Sequence, residues 1–126
     1  MGLDYVFTAR NVTRAGFGIA PGPTKFLAVP DTANDLAPDQ AITQRRWFDA
    51  VAAEAETGRD PNGRPVGDAL IYLHGYNHPT SVMLLRLRAI RRGLEAAGFK
   101  GSVVGYDWPC GDMALGYVED RKNAKL

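Results

Sequence analysis

From residue 69 onward the chain alternates between strand-like and helix-like segments, and this order constrains its fold most. Residues 69–73 (ALIYL) are almost continuously apolar, which predicts a strand covered on both faces. A helical pattern follows over residues 79–97, residues 102–106 (SVVGY) predict another strand, and a further helix is expected from about Asp112. Strands that alternate with helices predict right-handed βαβ units in a doubly wound α/β sheet with helices on both faces.

The chain before this unit predicts strands, one helix and a linker. Residues 5–9 and 25–29 predict short strands, and the glycines and prolines of residues 16–23 predict a loop between them. Apolar periodicity predicts a helix over residues 38–57, and turn residues over 58–67 predict a linker. We therefore expect one partial domain over residues 1–126, composed of N-terminal strands and loops (1–37), a helix (38–57), a turn-rich linker (58–67) and a βαβα unit (68–126).

Both predicted helices carry one apolar face, because apolar residues recur at steps of three and four. The predicted apolar positions are Ile42, Phe48, Val51, Ala52 and Ala55 in the first helix, and Val82, Leu85, Ala89, Ile90 and Leu94 in the second. The second helix also carries a cluster of arginines, which predicts a solvated face rather than a phosphate or lipid patch. These arginines are Arg86, Arg88, Arg91 and Arg92.

Charge and composition argue against several kinds of partner and location. The net charge is +1, so charge does not indicate a nucleic-acid or membrane-surface partner. No apolar run reaches the roughly 20 residues that span a bilayer, and the N-terminus does not have the pattern of a signal peptide. The single cysteine, Cys110, cannot form an intramolecular disulfide. We therefore expect a reducing compartment and a cytoplasmic protein.

Two predicted strand ends carry the residues that could form a functional site. Residues 74–78 (HGYNH) follow the first strand of the βαβ unit, and residues 107–111 (DWPCG) follow the second. In open α/β sheets, ligands bind beyond the carboxyl ends of the strands. If the two strands are parallel neighbours, both clusters lie on the same rim of the sheet.

Three interpretations of the first cluster compete. As metal ligands, His74 and His78 would need one helical face, which Gly75 and Pro79 oppose, and no further ligands stand nearby; we predict no metal and no cofactor. As a structural residue, His74 could hydrogen-bond the backbone of a tight turn that glycine permits. In the third interpretation, Gly75 lets the backbone approach a substrate, and the N–H of Tyr76 donates to a developing oxyanion.

The segment YLHGYN closely resembles part of an α/β-hydrolase family, called domain of unknown function 900 or esterase/lipase-like. The segments VFTARN, KFLAVP, YDWPCG and GYVEDRKNA are also similar to segments of that family, so the resemblance covers most of the chain. It implies a carboxylesterase- or lipase-like serine hydrolase with a small-molecule ester or acyl substrate. It also implies an oxyanion-hole donor at the N–H of Tyr76, support of this loop by His74, Gly75, Asn77 and His78, and a substrate wall formed by Asp107, Trp108 and Cys110.

The departures from the family bear on activity. The family's nucleophile is expected further on, in a His-Ser-Met-Gly-Asn elbow, whereas this chain has only Ser81 and Ser102 and no G-x-S-x-G around either. Cys110 stands where the family has serine, and Asp107 where serine is common. We therefore expect an N-terminal segment without nucleophile, acid or base, inactive alone. The alternatives are a non-catalytic interaction module and, less favoured, a Cys110-dependent hydrolase. Without a nucleophile strand beside it, the strand 69–73 would expose an apolar edge and promote self-association.

Overall fold

A computed structural model describes residues 2–74 and 78–109 of the chain. In chain order its elements are β1 (Leu3–Thr13), β2 (Gly16–Pro30), a 3-10 turn (Pro38–Gln40), β3 (Ala41–Ile42), α1 (Gln44–Ala55), β4 (Glu56–Arg59), β5 (Pro65–Gly67), β6 (Ala69–Leu73), α2 (Thr80–Ala96) and β7 (Ser102–Asp107). The main sheet has five strands in the order β3-β2-β1-β7-β6, and β4 and β5 form a separate two-stranded sheet. This mixed sheet with two helices is consistent with the partial α/β-hydrolase fold that the sequence resemblance implies.

The predicted βαβ unit is confirmed. β6 and β7 pair in parallel, with Leu73 opposite Tyr106, and α2 connects them. β7 also pairs in parallel with β1, where Asp107 lies opposite Thr8. β2 and β3 extend the sheet on the far side of β1 in antiparallel pairing. β6 and β7 therefore end at the same edge of the sheet, and β1 runs parallel to them and continues past this edge to Thr13.

The two helices cover opposite faces of the sheet. Because side chains alternate along a strand, Val103 and Val104 of β7 point to different faces. Val103 belongs to the core that Met83 and Leu87 of α2 complete, whereas Val104 packs in a second core with Trp47 of α1. Helices on both faces are what a doubly wound sheet requires.

The N-terminal strands are longer than the sequence pattern predicts. β2 begins at Gly16, so the loop predicted over residues 16–23 is wrong: this segment continues the pairing with β1 past two register shifts. Gly16 has a φ of 116° and starts the strand after the turn. A Cβ on Gly22 would lie 2.7 Å from the Cα of Asn11, so this glycine permits a close approach of two strands rather than a turn.

The helix predicted over residues 38–57 is shorter, and the predicted linker contains strands. α1 begins after Thr43, whose hydroxyl accepts a hydrogen bond from the N–H of Arg46 at 3.2 Å, a common N-terminal cap. Pro38 starts the separate 3-10 turn instead of the helix. Residues 58–67 do not form an irregular linker, because β4 and β5 pair as an antiparallel hairpin there.

Both helices bury only part of their predicted apolar faces: Val51 is buried, and Ile90 and Leu94 pack against the core, but other predicted positions are exposed. In α1, Trp47 is buried at 3% exposure, whereas Phe48, which was expected in the core, is 51% exposed. In α2, Met83 and Leu87 are fully buried, whereas Leu85 is 64% exposed. Each helix carries apolar residues in more than one phase, and packing against the sheet selects the one that is buried.

Two of the four clustered arginines are not on a solvated face. Arg88 donates from Nε to Oδ2 of Asp4 at 2.8 Å and from its other nitrogens to the carbonyls of Ala33 and Pro30. Arg91 forms a second ion pair with Asp4, whose side chain is 1% exposed. α2 is therefore anchored to the amino end of β1 by charge as well as by apolar packing.

β6 is the last strand of the sheet within the part of the chain that the structure describes. There it pairs with β7 alone. The expectation that residues 69–73 are covered on both faces is wrong for these described residues, since an edge strand has fewer neighbours above and below it. Its exposed apolar side chains are Leu70 (37%), Ile71 (55%) and Leu73 (59%).

Candidate functional site

The carboxyl ends of β6 and β7 and the adjoining part of β1 bring polar side chains together on one rim. Asp107 is the last residue of β7, Thr8 is the middle residue of β1 with Arg10 two positions further on, and His74 directly follows β6. The same-rim arrangement expected from the sequence is confirmed for the residues that the structure describes. A buried polar cluster at this edge stands where open α/β sheets bind their ligands.

A buried ion pair lies at the centre of this rim. Arg10 donates from Nε to both carboxylate oxygens of Asp107, at 2.8 and 3.0 Å, and the hydroxyl of Thr8 donates to Oδ2 at 2.6 Å. The side chains of Arg10 and Asp107 are 4% and 0% exposed. Burial of two charges is tolerated when their hydrogen-bonding atoms have partners, and both oxygens of Asp107 have them.

His74 connects the end of β6 to the end of β7. Its side chain is fully buried, and its Nε2 lies 3.2 Å from Oδ1 of Asp107 and 3.1 Å from both the backbone N and the backbone O of Trp108. With a hydrogen on Nε2 the ring donates to an oxygen; without it, Nε2 accepts the N–H of Trp108. Either tautomer binds the next strand end. In this position Nε2 is engaged by the end of β7.

Trp108 holds His74 from a second side. Its indole Nε1 donates to the carbonyl of His74 at 3.0 Å. The two rings are stacked, with centroids 5.2 Å apart and an interplanar angle of 6°. The residue after β6 is thus fixed through its ring and through its backbone.

His78 is tied to the same rim through its backbone. Nη2 of Arg10 donates to the carbonyl of His78 at 2.9 Å, and the ring centroids of His78 and His74 lie 6.0 Å apart. Partial burial, followed by the positive charge of Arg86 and by His74, lowers the pKa of His78 below its ordinary value of 6.5. The His78 ring therefore remains neutral to a lower pH than a free histidine.

Four of the predicted site residues lie together on the rim: His74, His78, Asp107 and Trp108. The other predicted positions lie outside the described residues: Gly75, Tyr76, Asn77 and Cys110.

Thr8 and Arg10 also belong to this cluster, although they were not among the site residues predicted from the sequence. The signal was present, because alternate positions of β1 share one buried face: Asp4, Val6, Thr8 and Arg10 are all buried. An arginine in phase with a buried valine on a strand requires an anion nearby.

The two serines of the chain lie in different elements, and Ser102 is at the opposite end of the strands from His74. Ser102 begins β7 opposite Ala69, at the amino end of these strands, and its hydroxyl donates to Glu54 at 2.6 Å. Ser81 lies in the first turn of α2 and is exposed. The predicted separation of Ser102 from His74 is therefore confirmed.

Comparison with known families identifies the chain. A family model described as alpha/beta hydrolase of unknown function (DUF900) matches residues 49–126. The chain belongs to the DUF900 family. The match includes His74, His78 and Asp107, whereas Thr8 and Arg10 lie before it. Comparison with curated proteins and with solved structures gave no match.

Two kinds of feature are absent from the described part of this DUF900 chain. Among residues 2–74 and 78–109, no group of three or more His, Cys, Asp or Glu residues could hold a metal ion. Within the same residues, no helix is long and apolar enough to cross a membrane.

Proposed function

We propose that this DUF900 chain is the N-terminal part of a serine-hydrolase-type enzyme, carboxylesterase- or lipase-like, that acts on a small ester or acyl substrate. Its contribution is one oxyanion-hole donor, the backbone N–H of Tyr76, and part of the substrate wall. The observation that carries the proposal is that His74 and His78, on either side of this donor, are both tied to the carboxyl-end rim. Membership of an α/β-hydrolase family supports the same assignment.

The burial of His74 supports a backbone donor rather than a catalytic imidazole. A general base must come within hydrogen-bond reach of the proton that it takes. The Nε2 of His74 is instead surrounded by Asp107 and the backbone of Trp108. His74 therefore acts by holding the start of the loop, and Gly75 and Asn77 are assigned to the same support.

We assign no nucleophile, acid or base to this chain. Ser102 lies at the wrong end of β7, and Ser81 lies in the first turn of α2, where a serine can satisfy free N–H groups. The catalytic residues would come from a C-terminal segment. The chain alone is then inactive, and its single cysteine, Cys110, supports a cytoplasmic location.

Hydrolysis of short-chain p-nitrophenyl esters by the purified chain tests this proposal. We expect no turnover above buffer, because an ester hydrolase needs an activated nucleophile. Cys110→Ala and Ser81→Ala serve as a matched pair of variants. Turnover that Cys110→Ala abolishes and Ser81→Ala preserves would replace the proposal with a cysteine-dependent hydrolase.

The nucleotide sequence after the codon for Leu126 tests directly whether a catalytic segment follows. An in-frame serine elbow, followed by an aspartate and a histidine, would support the proposal. A stop codon at that position would contradict it and favour the second candidate.

The second candidate is a non-catalytic interaction module on a hydrolase scaffold, and the edge of β6 favours it. In the described part of the chain only β7 pairs with this strand, so its other edge offers backbone groups to a further strand, and it exposes Leu70, Ile71 and Leu73. A second copy of the chain offers the same edge, so that two copies could pair about a two-fold axis. We propose self-association through β6.

Size-exclusion chromatography with light scattering tests this association. The chain should show a mass that rises with concentration, and Ile71→Lys should lower it, because lysine on an edge strand opposes pairing. Leu85→Lys is the control, since Leu85 is similarly exposed but lies on α2. A monomer at every concentration, or equal effects of the two variants, would contradict the proposal.

A further inference from the structure

The segment from His74 to His78 is held at both of its ends by one pair of side chains. At its start, the carboxylate of Asp107 lies 3.2 Å from Nε2 of His74. At its end, Nη2 of Arg10 donates to the carbonyl of His78 at 2.9 Å. Arg10 and Asp107 are themselves joined by two hydrogen bonds. The two attachments therefore share one rigid, buried centre.

We propose that Arg10 and Asp107 are positioning residues that set the distance and orientation between the two ends of this segment. Asp107 orients His74, and Arg10 draws the backbone of His78 toward β1. Thr8 completes the arrangement, since its hydroxyl fixes the carboxylate of Asp107 at 2.6 Å. None of these three side chains reacts; each acts through the segment that it holds.

The chemistry of arginine is what joins the two attachments. A guanidinium is planar and presents several N–H donors in fixed directions, so that Nε can bind a carboxylate while Nη2 binds a carbonyl. In Arg10 these two donors point to Asp107 and to the carbonyl of His78. The ammonium of a lysine is a single centre and could keep the ion pair, but it could not reproduce both contacts with the same geometry.

Burial supports a positioning role over general surface electrostatics. The side chains of Arg10 and Asp107 are 4% and 0% exposed, so solvent does not compete for their hydrogen bonds. The side chains of Arg45 and Asp49 form an ion pair that is 89% and 73% exposed, so solvent competes for its hydrogen bonds. The positioning role itself does not depend on the proposed function. Only its catalytic consequence rests on that function, namely that holding the two ends would orient the proposed donor at Tyr76.

The test uses nuclear magnetic resonance of the whole chain with the variant Arg10→Lys. The chain has two histidines, so the ring nitrogens of His74 and His78 give separate signals that can be assigned without ambiguity. The carbonyl carbon of His78 reports its hydrogen bond with Arg10. Backbone amides of Val6 and Gly105, which lie opposite each other in β1 and β7, report the pairing of the strands.

Arg10→Lys should remove the attachment at His78 and keep the attachment at His74. We expect the His78 carbonyl to shift as its hydrogen bond is lost, while the His74 ring signals and the amides of Val6 and Gly105 stay in place. Arg10→Met should shift the His74 ring as well, because Asp107 then loses its cation. Arg45→Lys, a matched change at an exposed ion pair, should move none of these signals.

Two results would overturn the inference. In one, the His78 carbonyl is unmoved in Arg10→Lys. In the other, the amides of Val6 and Gly105 shift as much as the His78 carbonyl, which would show a general structural role of the ion pair. If Arg10→Met does not fold, Arg10→Lys still decides the question. Since no readout depends on ester hydrolysis, failure of this inference and failure of the proposed function are distinguishable.

Discussion

Asp107→Asn is expected to lower the free energy of unfolding by about 3–5 kcal/mol, as for other buried ion pairs that lose one partner. Asparagine has nearly the same shape and can still accept the hydroxyl hydrogen of Thr8. It removes the negative charge, however, so that the buried guanidinium of Arg10 loses the carboxylate of Asp107. Urea unfolding followed by circular dichroism measures the change through the midpoint at constant slope.

Two further variants show whether burial causes this loss. Arg45→Ala breaks an ion pair whose side chains are 89% and 73% exposed, and it should cost about 0.5 kcal/mol or less. The double variant Arg10→Met, Asp107→Asn should cost less than the sum of its single variants, because no unpaired charge remains buried. Equal losses in Asp107→Asn and Arg45→Ala, or strict additivity in the double variant, would contradict the prediction.

The Arg10–Asp107 ion pair, whose loss is expected to lower stability, lies at the edge where the strands meet. Parallel pairing brings β1, β6 and β7 to one edge, but backbone pairing alone does not require an ion pair there. Arg10 and Asp107 add directed contacts to His78 and His74, which lie outside the strands. Their charge is therefore best explained by the segment that they hold, rather than by the stability of the sheet itself.

The βαβ unit could be predicted from the sequence because its signals are local. The apolar run of residues 69–73, the periodicity of α2 and the following strand each lie within one element, and their order sets the parallel topology. The rim placement of His74 and Asp107 followed from that topology, since carboxyl ends of parallel neighbours meet at one edge.

The partners of the rim could not be predicted in the same way, because they are distant along the chain. Arg10 and Asp107 are separated by 97 positions, and the sequence does not indicate that β1 lies beside β7. The loop predicted over residues 16–23 failed for a related reason. Glycine permits turns and also close strand approach, and only the neighbouring backbone of Asn11 distinguishes the two.

The phase of α1 shows the limit of periodicity for a short helix. Trp47 and Phe48 are adjacent, large and aromatic, so the pattern of apolar residues does not decide which of them faces the sheet. Trp47 is buried because its ring meets several aromatic rings and its Nε1 donates to the carbonyl of Leu27 at 3.1 Å. The aromatic partners of Trp47 in the described residues are Tyr5, Phe7, Phe26 and Phe48.

Trp47→Ala should therefore lower the free energy of unfolding by about 3–5 kcal/mol, the usual cost of removing a buried aromatic side chain. Phe48→Ala is the matched control: Phe48 is 51% exposed and should cost about 1 kcal/mol. Trp47→Phe should fall between them, because it keeps most of the ring contacts but loses the hydrogen bond to Leu27. A larger loss in Phe48→Ala than in Trp47→Ala would instead support the helix phase expected from sequence periodicity. Thermal and urea unfolding of the three variants decide between these two orientations of α1.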